Sequence, residues 1–130
     1  MAKTVLIAED NALNRALFAD ILRQDGYAVR EVADGHAALA AARERPPALL
    51  LLDMDLPGLH GSVVARRLRA DPACAGLTIL AVSAHSPAAT AREAAESGCD
   101  DWLAKPVRPD VLSRAVRAWP SWASSTVRSG

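Results

Sequence analysis

The chain has 130 residues, is 51% hydrophobic, and carries 15 basic against 15 acidic side chains, so its formal net charge is zero. That size and apolar content suit one domain with a real core, and the charge balance gives no bulk attraction for nucleic acid or an anionic membrane. No apolar run is long enough for a bilayer span or a secretory signal, and the two cysteines, Cys74 and Cys99, lack metal-ligand spacing, so they read as reduced thiols of a cytoplasmic protein.

Thr4 to Ala8 is a continuous apolar run, the pattern of a strand buried on both faces, and it ends at Glu9-Asp10. Asn11 is placed to cap a helix with apolar positions Leu13, Leu17, Phe18, Ile21 and Leu22, stopped by Gly26. Ala28 to Val32 reads as a second strand, and its Arg30 and Glu31 suit a sheet edge. Asp34 caps a second helix, Gly35 to Arg45, which Pro46-Pro47 ends. Leu49-Leu50-Leu51-Leu52 is a fully buried third strand that runs straight into Asp53, and Pro57-Gly58 turns the chain just beyond. Gly61 to Ala70 follows as a helix with Val64 and Leu68 inward. Leu77 to Val82 is a fourth apolar strand, ending at Ser83. Ser86 and Pro87 open a fourth helix, stopped by Gly98, whose Ala, Arg and Glu content leaves a weak core face. Asp101 to Ala104 is a short fifth strand with polar flanks, another edge candidate, closed by Lys105-Pro106. Pro109 opens a last helix with Leu112, Ala115, Val116 and Trp119 on one face. Residues 1–119 therefore form one domain, and 120–130, with Trp122, read as a flexible tail.

Five alternations of strand and helix imply a parallel sheet with helices on both faces and right-handed crossovers. Apolar strands one, three and four belong in the middle and mixed strands two and five at the edges. That gives the order 2-1-3-4-5, the flavodoxin-like doubly wound arrangement.

In such a sheet all strand ends point to one edge. There Glu9 and Asp10, Asp53, Ser83 and Lys105 should converge. Taken singly, each has a plainer explanation: acids cap helices, a serine ends a strand, and Lys-Pro makes a turn. Together they form a set. Clustered carboxylates repel, and a hard cation relieves them; Mg²⁺ takes a few carboxylates, waters and a phosphate oxygen. Lys105 offers a point charge and Ser83 a hydrogen bond to phosphoryl oxygens. The combination suits phosphoryl transfer, in which positioning and charge neutralisation do most of the work, with Asp53 attacking.

Glu9-Asp10-Asn11, Asp53-Met54-Asp55-Leu56-Pro57 with Gly61 beyond, Ser83-Ala84 and Lys105-Pro106 carry a resemblance. From Lys3 to Trp119 the chain resembles the receiver domain of bacterial response regulators, with a start (Val5 to Asn11, then Asn14) that looks most like stand-alone DivK-type regulators or hybrid-kinase receivers. The resemblance implies that Asp53 accepts a phosphoryl group from a histidine kinase or histidine phosphotransfer protein. It implies direct Mg²⁺ ligation by Asp10, Asp53 and the Asp55 backbone carbonyl, with Glu9 acting through water, and phosphoryl contacts from Ser83 and Lys105. It also implies a cis Lys105-Pro106 bond. Trp102 stands where the family usually has a switch Tyr or Phe that moves with Ser83, and its larger indole brings an N–H that wants a partner when buried. Asp55 and His85 fall where the family tunes dephosphorylation. His36 and His60 read as solvated, with no role.

Without a DNA-binding segment after Trp119, output is expected through a downstream protein on the face of helix four, strand five and helix five, from a monomer or weak dimer. Met1, two residues before the first strand, favours a free-standing protein, and the resemblance implies a phosphoacceptor that self-dephosphorylates and is not a turnover enzyme. Three rival readings share these residues: a haloacid-dehalogenase-type phosphatase built on Asp53-Met54-Asp55, a pseudo-receiver that is never phosphorylated, and a receiver of a hybrid histidine kinase. The phosphatase reading is the poorest fit, since that motif there ends the first strand and here the third.

Overall fold

The computed structural model describes residues 3–119, so the expectations for the tail and for Trp122 lie outside the described residues. Strands and helices alternate: β1 (Thr4–Ala8), α1 (Ala12–Gln24), β2 (Ala28–Val32), α2 (Gly35–Glu44), β3 (Leu49–Asp53), α3 (Gly61–Ala70), β4 (Thr78–Ser83), α4 (Pro87–Ser97), β5 (Asp101–Ala104) and α5 (Pro109–Ala118). All neighbouring strands pair in parallel, in the order β2-β1-β3-β4-β5. This is the flavodoxin-like arrangement expected from the apolar and mixed strands.

Strand side chains alternate between faces, and the leucine run divides accordingly. Leu50 and Leu52 join Leu6 and Ile79 beneath α2, α3 and α4, where Leu39, Leu68 and Ala94 meet them. Leu49 and Leu51 join Val5, Ile7 and Leu80 beneath α1 and α5, where Phe18, Leu22, Leu112 and Val116 meet them. Val64 and Leu68 are fully buried, as their spacing predicts.

Local signals act as read. The Asn11 side chain accepts the Asn14 N–H, Asp34 accepts that of Ala37 and Ser86 that of Ala89. Gly98 ends α4 in the left-handed region, with φ of 86°. Arg30 is reconciled with its strand by reaching the end of α2, where its guanidinium donates to the Ala41 and Arg45 carbonyls. Helix carbonyls left without partners at a C-terminus want such donors.

One expectation on α1 is corrected. Leu13 and Leu17 do not face the core but are 79% and 43% exposed. The buried stripe of α1 is Phe18, Ala19 and Leu22, and it is narrower than the apolar composition of the helix suggests. Helix α4 meets the core through Thr90, Ala94 and Ser97 alone, which bears out its weak core face. Among the described residues, no helix is long and apolar enough to cross a membrane.

Candidate functional site

Strand register assembles the site. Ala8 pairs with Leu52, so Glu9 leaves β1 beside Asp53 at the end of β3. Ser83 pairs with Ala104, and the Lys105 N–H donates to the Ser83 carbonyl at 2.8 Å, which fixes where the lysine leaves β5. The peptide bond between Lys105 and Pro106 is cis. On the far side, the α3 N-terminus lies against the end of β3, with the Gly61 N–H on the Met54 carbonyl at 2.9 Å. A Cβ on Gly61 would run into the Asp53 carbonyl, so only glycine permits this approach.

Lys105 Nζ sits 2.9 Å from Asp53 Oδ2 and 2.8 Å from Glu9 Oε1. Both carboxylates are buried, at 3% and 1% exposure. Asp53 Oδ1 accepts the Asp55 N–H at 3.0 Å, and Glu9 Oε2 accepts that of Asn11 at 2.9 Å. Glu9 Oε1 has the ammonium close by but no well-aligned hydrogen bond, which leaves a buried oxygen under-satisfied. Burial pushes the Glu9 carboxyl above its ordinary range, against the pull of Lys105 and the Asn11 N–H; the charge of Asp53 adds to the push. Burial works against the Lys105 ammonium too, yet its contacts with Glu9 and Asp53 hold its pKa above the ordinary lysine value.

Glu9, Asp10 and Asp53 each place one carboxylate oxygen so that all three lie within 4.8 Å of one another, the one such group among the described residues. Asp10 is exposed and the other two are buried, so the cluster opens to water on one side. A hard, all-oxygen donor set with an open side and an under-satisfied buried oxygen fits Mg²⁺, which keeps several waters.

The remaining candidates form a rim. Ser83 is fully buried, and its Oγ accepts the His85 N–H at 3.1 Å, with no hydrogen bond to Asp53 or Lys105. His85 Nε2 is 3.0 Å from Asp55 Oδ1, and this contact and the charge of that carboxylate raise the imidazole pKa. Trp102 stands apart from the acids, half-buried against the core beneath α2, α3 and α4. His36 is exposed, as read.

His60 is a correction. It caps α3, with Nδ1 accepting the Ser62 N–H at 3.2 Å and lying 2.8 Å from Ser62 Oγ, and its Nε2 faces Asp55 and Glu93. Imidazole is an unusual cap, so residue type gave no signal. Arg15 was also missed: its guanidinium donates to the Glu9 carbonyl at 2.9 Å, bracing the turn that presents both acids. Beside Lys105 a cleft of about 310 Å³ is lined by Asn14, Leu17, Phe18, Ala84 and the Pro106-Val107 turn.

The family model of the response regulator receiver domain matches residues 5–117. The DNA-binding response regulator MtrA of Mycolicibacterium paratuberculosis is 37% identical over 118 residues, which are 91% of this chain but 51% of that protein. The chain thus spans about half the length of the MtrA relatives it matches. The polar-differentiation response regulator DivK of Brucella ovis is 35% identical over 92% of this chain and 97% of its own. Among solved structures, the receiver domain of the sensor histidine kinase PA1611 from Pseudomonas aeruginosa, which has a magnesium ion coordinated in its active site cleft, superposes with a TM-score of 0.85. It is 31% identical, over 92% of this chain and 98% of that one.

Proposed function

Since the chain belongs to the response regulator receiver family, the phosphorelay domains of two-component systems, we propose that it accepts a phosphoryl group on Asp53 from a phosphohistidine donor and signals through protein contacts. The observation that carries this reading is Lys105 Nζ, 2.9 Å from Asp53 Oδ2 and 2.8 Å from Glu9 Oε1. A buried carboxylate held next to a cation is oriented for attack, and the same cation is at hand for the charge arriving with the phosphoryl group.

An Asp53 carboxylate oxygen bonds to phosphorus as the bond from phosphorus to the donor imidazole nitrogen breaks. The imidazole keeps the electron pair and takes up a proton. Ser83 Oγ already accepts from the His85 N–H, so its own hydrogen is free to donate to a phosphoryl oxygen. Mg²⁺, held by Glu9, Asp10, Asp53 and the Asp55 carbonyl, would supply further positive charge to those oxygens. Leu17 lines the cleft at Lys105, and it and Leu13 are exposed on α1, which gives the donor protein an apolar surface near Asp53.

Asp53 is a phosphoacceptor that returns to its free form by hydrolysis, so the chain is a switch and not a turnover enzyme. His85, held over the rim by Asp55, tunes that hydrolysis. Output runs through the face of α4, β5 and α5, where Trp102 reports the change of state. DivK, which the chain covers almost end to end, supports a single-domain regulator. The test is an intact mass after incubation with Mg²⁺ and acetyl phosphate, with Asp53→Asn alongside. A gain of one phosphoryl group in the wild type alone is expected. No gain, or an equal gain in the variant, overturns the assignment.

A further inference from the structure

The turn between β1 and α1 is held from outside by Arg15. Its guanidinium Nη1 donates to the Glu9 carbonyl at 2.9 Å and, more weakly, to the Asp10 carbonyl at 3.5 Å. Those two carbonyls belong to the peptides on either side of the Asp10 Cα. One side chain therefore restrains both backbone angles of Asp10. The Asp10 carboxylate is exposed, so its aim follows from that backbone and not from close packing.

Arg15 is itself anchored. Its Nε lies 3.7 Å from Glu31 Oε1, and the other oxygen of Glu31 accepts from Arg23 Nη2 at 3.1 Å. The Arg15 side chain is only 23% exposed. Glu31 stands on β2, opposite Ile7 of β1, and one residue on the Val32 carbonyl accepts the Glu9 N–H at 3.1 Å. Strand β2 thus grips the acid turn twice. The backbone bond fixes Glu9, and Glu31 with Arg15 carries the hold on to Asp10.

We propose that Arg15 is a positioning residue for the acid cluster: anchored by Glu31, it aims Asp10 so that a Mg²⁺ ion meets its carboxylates already in place. The proposal rests on the reading of Glu9, Asp10 and Asp53 as the Mg²⁺ site. Two effects of the guanidinium oppose each other. Its positive charge repels an arriving dication. Its hydrogen bonds spare the ion the entropy of ordering Asp10. Loss of an outer partner that orients a metal ligand costs about 10–100-fold in affinity. The repulsion is the smaller effect, because Glu31 stands against the same guanidinium and offsets its charge. Removing Arg15 should therefore weaken Mg²⁺ binding even though a positive charge is lost. A purely electrostatic role has the opposite sign.

The test titrates MgCl₂ into the isotope-labelled whole chain and follows the amide NMR shifts of Asp10 and Asp53. The Kd for Mg²⁺ should rise about tenfold or more in Arg15→Met. Arg15→Lys keeps the charge and a donor, and should recover part of that loss. Arg23→Met removes the outer partner of Glu31 but leaves Arg15 in place, so its Kd should match the wild type. An unchanged or lower Kd in Arg15→Met, or an equal rise in Arg23→Met, overturns the proposal and leaves the phosphoacceptor reading of Asp53 standing. A wild type that binds no Mg²⁺ overturns the Mg²⁺ reading of the cluster and the role of Arg15 together.

Discussion

Replacing Lys105 by Met keeps the aliphatic stem and removes the positive charge that, among the described residues, faces both Glu9 and Asp53. The two carboxylates are 1% and 3% exposed, so neither can turn to water for relief. The cheapest release is for Glu9 to bind a proton, since burial already holds its pKa above the ordinary 4.5. Holding such a carboxyl protonated near pH 7 costs about 3.4 kcal/mol, at about 1.36 kcal/mol for each pH unit above its ordinary pKa. That sets a ceiling on the destabilisation of the variant relative to the wild type. Near pH 5 the ceiling falls to about 0.7 kcal/mol by the same reasoning. The sign follows from linkage. A folded carboxyl with a raised pKa holds a proton that the unfolded chain has released, so stability declines as pH rises from 4.5 towards the folded value. The gap between Lys105→Met and wild type must therefore widen as pH rises. Urea unfolding in a chelating buffer at both pH values measures it, and excess Mg²⁺ should narrow it. A gap that is equal at both pH values, wider at the lower one, or well above the ceiling would refute the reasoning.

Other perturbations have equally definite outcomes. The His85 imidazole should titrate above 6.5 by NMR and move down towards it in Asp55→Asn; in the wild type its small stabilising contact is present at lower pH and lost as pH rises through the folded value. Leu50→Ala empties fully buried space and should cost about 2–5 kcal/mol, whereas Leu13→Ala, at a position 79% exposed, should stay within about 0.5 kcal/mol. Gly61→Ala must push α3 off the Asp53 carbonyl, so a loss of about 1–3 kcal/mol should come with slower labelling by acetyl phosphate. Trp102 emission should shift on activation in the wild type and stay still in Asp53→Asn.

Much of this molecule could be read before its structure, for a physical reason. Strands buried on both faces have no polar alternation to blur them, so Thr4 to Ala8, the leucine run and the strand before Ser83 stood out, and their order followed from apolar content alone. Parallel pairing then made the site legible, since it sends the end of every strand to one edge. What escaped depended on side-chain reach. Leu13 and Leu17 share a helical spacing with Phe18, and spacing alone does not say how wide a stripe the sheet can cover. Arg30 read as a sign of a sheet edge, but it is also a donor for the Ala41 and Arg45 carbonyls at the end of α2. His60 looked like any exposed histidine because imidazole rarely caps helices, and its proximity to Asp55 and Glu93 joins the loop after β3 to α4, segments that sequence does not align.

The thin seat of α4 carries a consequence for how the molecule opens. Its buried contacts are a threonine, an alanine and a serine, whereas every residue of β3 and β4 is buried. Detaching α4 exposes little apolar surface, so its amides should exchange with solvent deuterium through local opening, long before those of the two central strands, which must wait for global unfolding. The chain is thus graded in stability: a rigid sheet holds the reactive carboxylate in place, and a loosely held helix beside it can change its neighbours without loosening the fold.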